Sequence, residues 1–267
     1  MMEKMIFGRY VPMESVMHRM DPRAKLLLVF LFVCIVFLAN NLLTYALLGV
    51  FTLLMLGLSK IPIRFLYAGL KPVIWLVIFT LLLHLFLTKE GDLLFKFGWI
   101  EIYEEGLKQG LFISLRFFYL ILITSLLTLT TTPIEITDGL ETLLNPLKKI
   151  KFPVHEMALM MSISLRFIPT LMQETDKIMK AQMARGVEFS SGPIKERIKS
   201  IVPLLIPLFV SSFKRAEELA IAMEARGYRG GEGRTKYRHL TWTFIDTLVL
   251  ILMAILTILL VLLRQDV

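Results

Sequence analysis

The chain reads as an all-α, polytopic integral membrane protein with about five transmembrane helices and a large cytoplasmic helical region. Three observations predict this. Of the 267 residues 56% are hydrophobic and mean hydropathy is +0.69, well above what a soluble globular domain carries. The apolar residues gather in runs at 26–39, 42–58, 72–88, 111–130 and 244–263, with the lengths of membrane helices rather than strands. The positive charge, +8 overall with a pI near 9.6, collects in the connecting segments. In a soluble protein that balance would suggest nucleic acid as a partner. Placed between apolar runs it is the signature of cytoplasmic loops, so membrane lipid is the expected surrounding and nucleic acid is not.

Residues 1–25 carry Lys4, Arg9, Arg19, Arg23 and Lys25 against Glu3, Glu14 and Asp21, which places the N-terminus in the cytoplasm. Asp21-Pro22 is a helix start: Asp caps orphan amides, and Pro suits the first helical position. Arg23 and Lys25 are expected to reach lipid headgroups, and the turn serves equally as a juxtamembrane cap or a partner contact. The first apolar run is not read as a cleaved signal, since Leu38-Ala39-Asn40-Asn41 lacks a small-x-small site and further runs follow. Cys34 is the single cysteine and has no second for a disulfide or a Cys-rich metal site.

Runs 26–39 and 42–58 are short for spans that stand upright, and Asn40-Asn41 makes the turn between them. Lys60, Arg64 and Lys71 are expected in a cytoplasmic connection before run 72–88. Residues 89–110 have an acidic excess and belong outside, with Trp99 and Tyr103 at the interface and Gly98 and Gly106 as breaks. Run 111–130 returns, with Arg116 placed to snorkel. The N-terminal membrane region is thus 1–132, with about four spans.

Residues 133–243 hold 17 Lys and Arg against 12 Asp and Glu, a long cytoplasmic stretch. An amphipathic helix from Pro133 stops near Asn145-Pro146, and Phe152-Pro153 opens a long helical segment. On that segment Met161, Leu165, Ile168, Met172 and Met179 trace one stripe, and Met157, Met160 and Met183 add to its methionine content. Unbranched, polarizable methionine suits a surface that repacks as a partner moves, although core packing is the commoner use. Pro169 is expected to kink the helix and act as a hinge, with an Asp176/Lys180 pair in its wetter half. Gly192-Pro193 and charged residues 195–199 form a link, and prolines 203 and 207 interrupt the next apolar run. The second long segment puts Phe209, Phe213, Ala216, Ala220 and Met223 on one stripe, where small alanines admit a close helix, and the two helices are expected to cross. Glycines 230, 231 and 233 with Arg229, Arg234, Lys236 and Arg238 then make a basic loop before the last region, 244–267, whose run 244–263 is the last span.

Both long segments end in the same tripeptide, Ala184-Arg185-Gly186 and Ala225-Arg226-Gly227. Gly just past a last helical turn accepts a left-handed backbone, and an Arg there meets the negative end of the helix dipole. Its rigid fork of five donors suits carboxylates or carbonyls on a partner protein. One copy reads as an ordinary solvated cap. Roughly 0.1 copies are expected by chance in a chain of this length, so two copies on two amphipathic segments point to a shared purpose.

The paired tripeptides, with Asp21-Pro22-Arg23-Ala24-Lys25-Leu26, Asn145-Pro146-Leu147 and Leu165-Arg166-Phe167-Ile168-Pro169, closely resemble the transmembrane T component of energy-coupling-factor (ECF) transporters. The resemblance spans most of the chain. It implies that 133–243 is a coupling-helix region whose Ala-Arg-Gly ends bind two ABC-type ATPases in the plasma membrane of a prokaryote. It also implies that apolar helices contact a substrate-binding S component, and that the solutes are vitamins or transition-metal ions. Met161, Leu165, Met172, Phe213, Ala216, Ala220 and Met223 are the residues expected to contact the S component or carry the coupling.

No Gly-x-x-x-x-Gly-Lys-Ser/Thr loop is present, so ATP is expected to be hydrolysed by partners and no catalytic residue or cofactor is assigned. His18, His84, His155 and His239 are scattered, and no metal site is expected. The alternative function, a stand-alone secondary transporter or channel, is disfavoured because the runs lack a mid-membrane carboxylate, Asp246 lying at an edge. A membrane enzyme ranks third.

Overall fold

The computed structural model describes residues 10–97, 100–189, 193–230 and 239–264. Gly98, Trp99, Ser191, Gly192, the loop residues 231–238 and the N-terminal charges Glu3, Lys4 and Arg9 lie outside them. The described chain is helical apart from one antiparallel hairpin, β1 (Leu93–Phe97) with β2 (Ile100–Tyr103). The helices are α1 (Val16–Arg19), α2 (Pro22–Ile35), α3 (Leu42–Ser59), α4 (Ile63–Leu87), α5 (Glu104–Thr130), α6 (Pro133–Leu143), α7 (Val154–Ala184), α8 (Ile194–Ala225) and α9 (Phe244–Leu262). Single 3-10 stretches follow α2 at Val36–Leu38 and α6 at Asn145–Ile150. Packing divides the chain into two units, one of residues 144–239 and one of 7–143 with 240–267.

In the larger unit α3, α5 and α9 are long and apolar enough to cross a membrane, and α4 makes a fourth if its halves, bent by 57° at residue 72, count as one span. The bend falls where Pro72 supplies no N–H to the ladder. The outward faces of these helices are apolar: Trp75 is 78% exposed and Phe244 81%. Water would penalise such a surface, and lipid does not.

The first apolar run forms α2, whose 14 residues rise only about 21 Å, less than the roughly 30 Å of a hydrocarbon core. Packing explains how it is tolerated. Ala24, Leu28, Phe32, Ile35 and Val36 are buried among α3, α5 and α9, so α2 is the centre of the unit. Its start is tied to that of α9, Asp21 N–H donating to Asp246 Oδ1 at 2.9 Å, and the turn that follows it is tied to the end of α9, Asn41 Nδ2 at the start of α3 donating to the Leu263 carbonyl at 2.8 Å. With its 3-10 extension α2 therefore runs the same height as α9.

Several local expectations are corrected. Lys25 is buried rather than reaching for headgroups, and its Nζ donates to the Thr130 carbonyl (3.0 Å), Thr131 Oγ1 (3.2 Å) and the His18 carbonyl (3.5 Å). A buried ammonium needs all three donors filled, and α1 and the end of α5 supply the acceptors. Arg116 is likewise held inward, donating to the Tyr45 hydroxyl at 3.0 Å beneath the Phe37 ring. Arg64 and Lys71 sit on α4, whose N-cap is Pro62, so the connection from α3 is three residues long. Gly106 lies in the first turns of α5 and breaks nothing. A Cβ there would stand 2.9 Å from the Thr88 carbonyl and 3.0 Å from that of His84, so its role is close approach of α4 and α5.

Candidate functional site

The smaller unit is built on α7 and α8, which pack as an antiparallel pair. Gln182 near the end of α7 meets Pro203 early in α8, Glu174 meets Ser211, and Phe167 meets Arg215. Both helices run unbroken through their prolines, Pro169 in α7 and Pro203 and Pro207 in α8. Charged residues 195–199, expected in a link, form the first turns of α8. One proline defect is visibly repaired. Pro207 has no N–H for the carbonyl of Pro203, and the Gln182 side-chain amide donates to that carbonyl at 3.3 Å. Midway, Glu174 is ion-paired with Arg215 and accepts from Ser211 Oγ at 2.9 Å, while the Arg215 guanidinium lies 5.8 Å from the Phe167 ring centroid. Among the described residues this pair, rather than Asp176 with Lys180, is the ionic link of α7.

The two Ala-Arg-Gly ends have the same backbone. At the first, Gly186 takes φ +87°, its N–H donates to the Met183 carbonyl at 3.0 Å, and Val187 N–H donates to that of Gln182 at 3.0 Å. At the second, Gly227 takes φ +75°, its N–H donates to Glu224 at 2.8 Å, and Tyr228 N–H donates to Met223 at 3.0 Å. These are paired 5→2 and 6→1 bonds of a Schellman cap, and they place Arg185 and Arg226 at the same cap position with φ near −88° in both. Among the described residues, adjoining ones aside, no heavy atom lies within 4 Å of where a Cβ would stand on either glycine, so glycine serves for its dihedral. Both arginines are exposed, and neither side chain has a hydrogen-bond or ion-pair partner among the described residues. Because the helices are antiparallel, the second end lies beside Arg166 of α7, roughly 28 Å along that helix from Arg185. The pair thus carries two equivalent cationic tips at opposite ends.

The stripes meet only in part. Ala216, Ala220 and Met223 line an apolar groove of about 320 Å³, and the α7 residues facing them are Ile163, Phe167 and Leu171. Met161 (42% exposed), Leu165, Met172 and Phe213 (73% exposed) do not line it. The facing stripe was present in the sequence, since Ile163, Phe167, Leu171 and Glu174 follow at helical spacings of four, four and three. The methionines Met161 and Met172 lie on the neighbouring face. Pro169 is exposed on α7, away from the lining of that groove.

Comparison with known proteins agrees over nearly the full length. A family model described as cobalt transport protein (CbiQ) matches residues 13–237. The energy-coupling factor transporter transmembrane protein EcfT of Bacillus subtilis (strain 168) is 70% identical over 264 residues, 99% of this chain and 100% of the relative. Proteins of the same name from Listeria innocua serovar 6a (59% over 265 residues, 99% and 100%) and Exiguobacterium sibiricum (57% over 260 residues, 97% and 99%) are also similar. With membrane helices around α2, a separate antiparallel helix pair and this similarity from end to end, the chain belongs to the CbiQ/EcfT family of energy-coupling factor transporter transmembrane proteins.

Proposed function

We propose that the chain is the scaffold and coupling subunit of an ECF transporter, carrying ATP-driven movement of two ABC-type ATPases to a substrate-binding S component that takes up a vitamin or a transition-metal ion. The observation that carries this reading is the duplicated tip: two arginines in one Schellman geometry, both without partners among the described residues, at opposite ends of one helix pair. Two equivalent tips fit two related partners. The Glu174–Arg215 link and the Gln182 repair make the pair stiff enough to pass displacement from one end to the other. Hydrolysis belongs to the ATPases in this reading, and solute choice to the S component. The N-terminus and residues 133–243 lie in the cytoplasm, residues 89–110 outside, and α2 counts as the first of five spans.

The test is co-expression of the full chain with its two ATPases and S component. Arg185→Ala with Arg226→Ala removes both forks and leaves acceptors on the ATPases unpaired, a loss of about 2–5 kcal/mol at each tip. ATPase copurification and uptake should fall while solute binding by the S component persists. Wild-type assembly and uptake in the double variant would overturn the reading. Orientation is checked separately in a chain without Cys34: a cysteine at Ser191 should resist an impermeant reagent in intact cells, and one at Gly98 should react.

A further inference from the structure

The geometry points to the second tip as one part of a three-arginine cleft that receives an acidic segment of one particular ATPase, the first tip being left to the other. This rests on the docking reading above and adds to it which residues discriminate. Arg226 opens onto a cleft of about 630 Å³ shared by the end of α8 and the first half of α7. Arg166 reaches it from α7 and Arg229 from the turn after the cap, with Leu159, Ile163 and Leu219 among the apolar residues of its floor. Among the described residues no acidic side chain lines it, and none of the three guanidinium groups has a hydrogen-bond or ion-pair partner there. Three uncompensated arginines around an apolar floor have the composition of a protein interface, an apolar centre with arginine at its edge, and their charge specifies carboxylates on the occupant. The backbone of the two tips is the same, so what distinguishes them is the side chains nearby. Two residues past the glycine the second tip has Arg229, and the first has Glu188. A partner surface with several carboxylates is therefore favoured at the second tip, where Arg166, Arg226 and Arg229 line one cleft. A lipid headgroup shares the anionic chemistry, but the apolar floor beside the cations favours a protein segment.

The test uses the full complex in detergent, with each ATPase carrying a different tag. Arg166→Glu with Arg229→Glu should lower retention of one ATPase at least tenfold while the other is retained as in wild type. Arg166→Lys with Arg229→Lys should keep most of the retention, which separates charge from folding. Equal loss of both ATPases in the Glu variant, or undiminished retention of both, would overturn the inference. Undiminished retention together with weaker binding of the complex to phosphatidylglycerol vesicles would assign the cleft to lipid and overturn it equally. Arg226→Ala distinguishes the two levels: if it reduces retention while the Glu variant does not, only the cleft fails, and if neither does, the docking reading fails as well.

Discussion

The carboxylate of Asp246, fully buried at the start of α9, accepts a 2.9 Å hydrogen bond from the backbone N–H of Asp21, 225 residues earlier in the chain. Its other oxygen accepts from the N–H and hydroxyl of Thr243, each at 2.7 Å, closing a capping box. One side chain therefore starts α9 and fastens it to the start of α2. Asp21 completes the joint: its own carboxylate caps Arg23 N–H at 2.8 Å and pairs with the Arg23 guanidinium at 2.7 Å, which lies 5.7 Å from the Trp242 ring centroid.

Asp246→Ala is expected to strip three donors of their acceptor in a fully buried site. Each orphaned donor costs about 1–3 kcal/mol, so the loss should be several kcal/mol, whereas Asp246→Asn keeps one acceptor oxygen and should lose less. Thermal unfolding of the purified chain in detergent checks this. Equal melting temperatures for wild type and Asp246→Ala would show that the joint contributes nothing.

The two kinds of glycine should respond oppositely. Gly106→Leu pushes a side chain against the carbonyls of His84 in α4 and of Thr88 at its C-cap, backbone atoms that cannot step aside, so α4 and α5 should separate and expression of folded protein should fall sharply. Gly186→Ala meets open space and pays only for the left-handed dihedral, about 1–2 kcal/mol, confined to the end of α7. Melting of the free chain should hardly change, while ATPase retention drops because Arg185 loses its fixed position. Unaltered retention in Gly186→Ala and Gly227→Ala together would remove the reason for the shared cap.

What could be read in the sequence was what local chemistry decides. Asp21 is a cap by residue type, Gly186 and Gly227 end their helices, and the apolar runs mark most of the membrane helices. What escaped was decided by partners far along the chain. Lys25 looks like a juxtamembrane cation until Thr130 and Thr131 are placed beside it, and Gly106 looks like a breaker until α4 lies against it. Residues 195–199 resemble a linker by charge alone, yet they are good helix formers following Pro193 and extend α8. The Glu174–Arg215 link joins residues 41 apart, and nothing on either helix alone selects it.

His18 should give the larger unit a measurable acid sensitivity. Burial holds its imidazole below the usual value of 6.5, with the positive charge of Lys25 acting the same way, while the hydrogen bond to the Val11 carbonyl at 3.0 Å and the charge of Glu135 oppose the shift. The folded state therefore binds the proton less readily than the unfolded chain. As pH falls through 6.5 the unfolded chain is protonated first, and stability declines by at most about 1.4 kcal/mol per pH unit. Asp21, whose carboxyl burial would raise but the Arg23 hydrogen bonds hold below its usual 3.8, does not titrate in this range. Melting between pH 7.5 and 5.5 should drop in wild type and flatten in His18→Gln. An identical slope in both would assign the sensitivity elsewhere.

The Glu174–Arg215 link should separate stability from coupling. Each partner is only partly exposed, 20% for the Glu174 side chain and 34% for Arg215, so removing one leaves the other poorly solvated against the Phe167 ring. Glu174→Gln keeps the acceptor for Ser211 but loses the charge, and it should cost about 1–3 kcal/mol in the smaller unit. Glu174→Gln with Arg215→Met should recover part of that loss, because no unpaired charge remains. Coupling should not recover with it. In the double variant α7 and α8 are held by apolar packing and the neutral Ser211 and Gln182 hydrogen bonds, without the ion pair, which allows the two tips to move more independently, and work done at one tip is dissipated before it reaches the other. Pro169→Ala restores a hydrogen bond within α7 and should stiffen that helix; if Pro169 is a hinge, coupling falls there as well while assembly survives. In the reconstituted complex the ratio of ATP hydrolysed to solute taken up should therefore stay raised in the Glu174/Arg215 double variant even though its melting temperature lies above that of Glu174→Gln. If the ratio follows melting temperature instead, the link is a stability element only, and displacement must travel by another route.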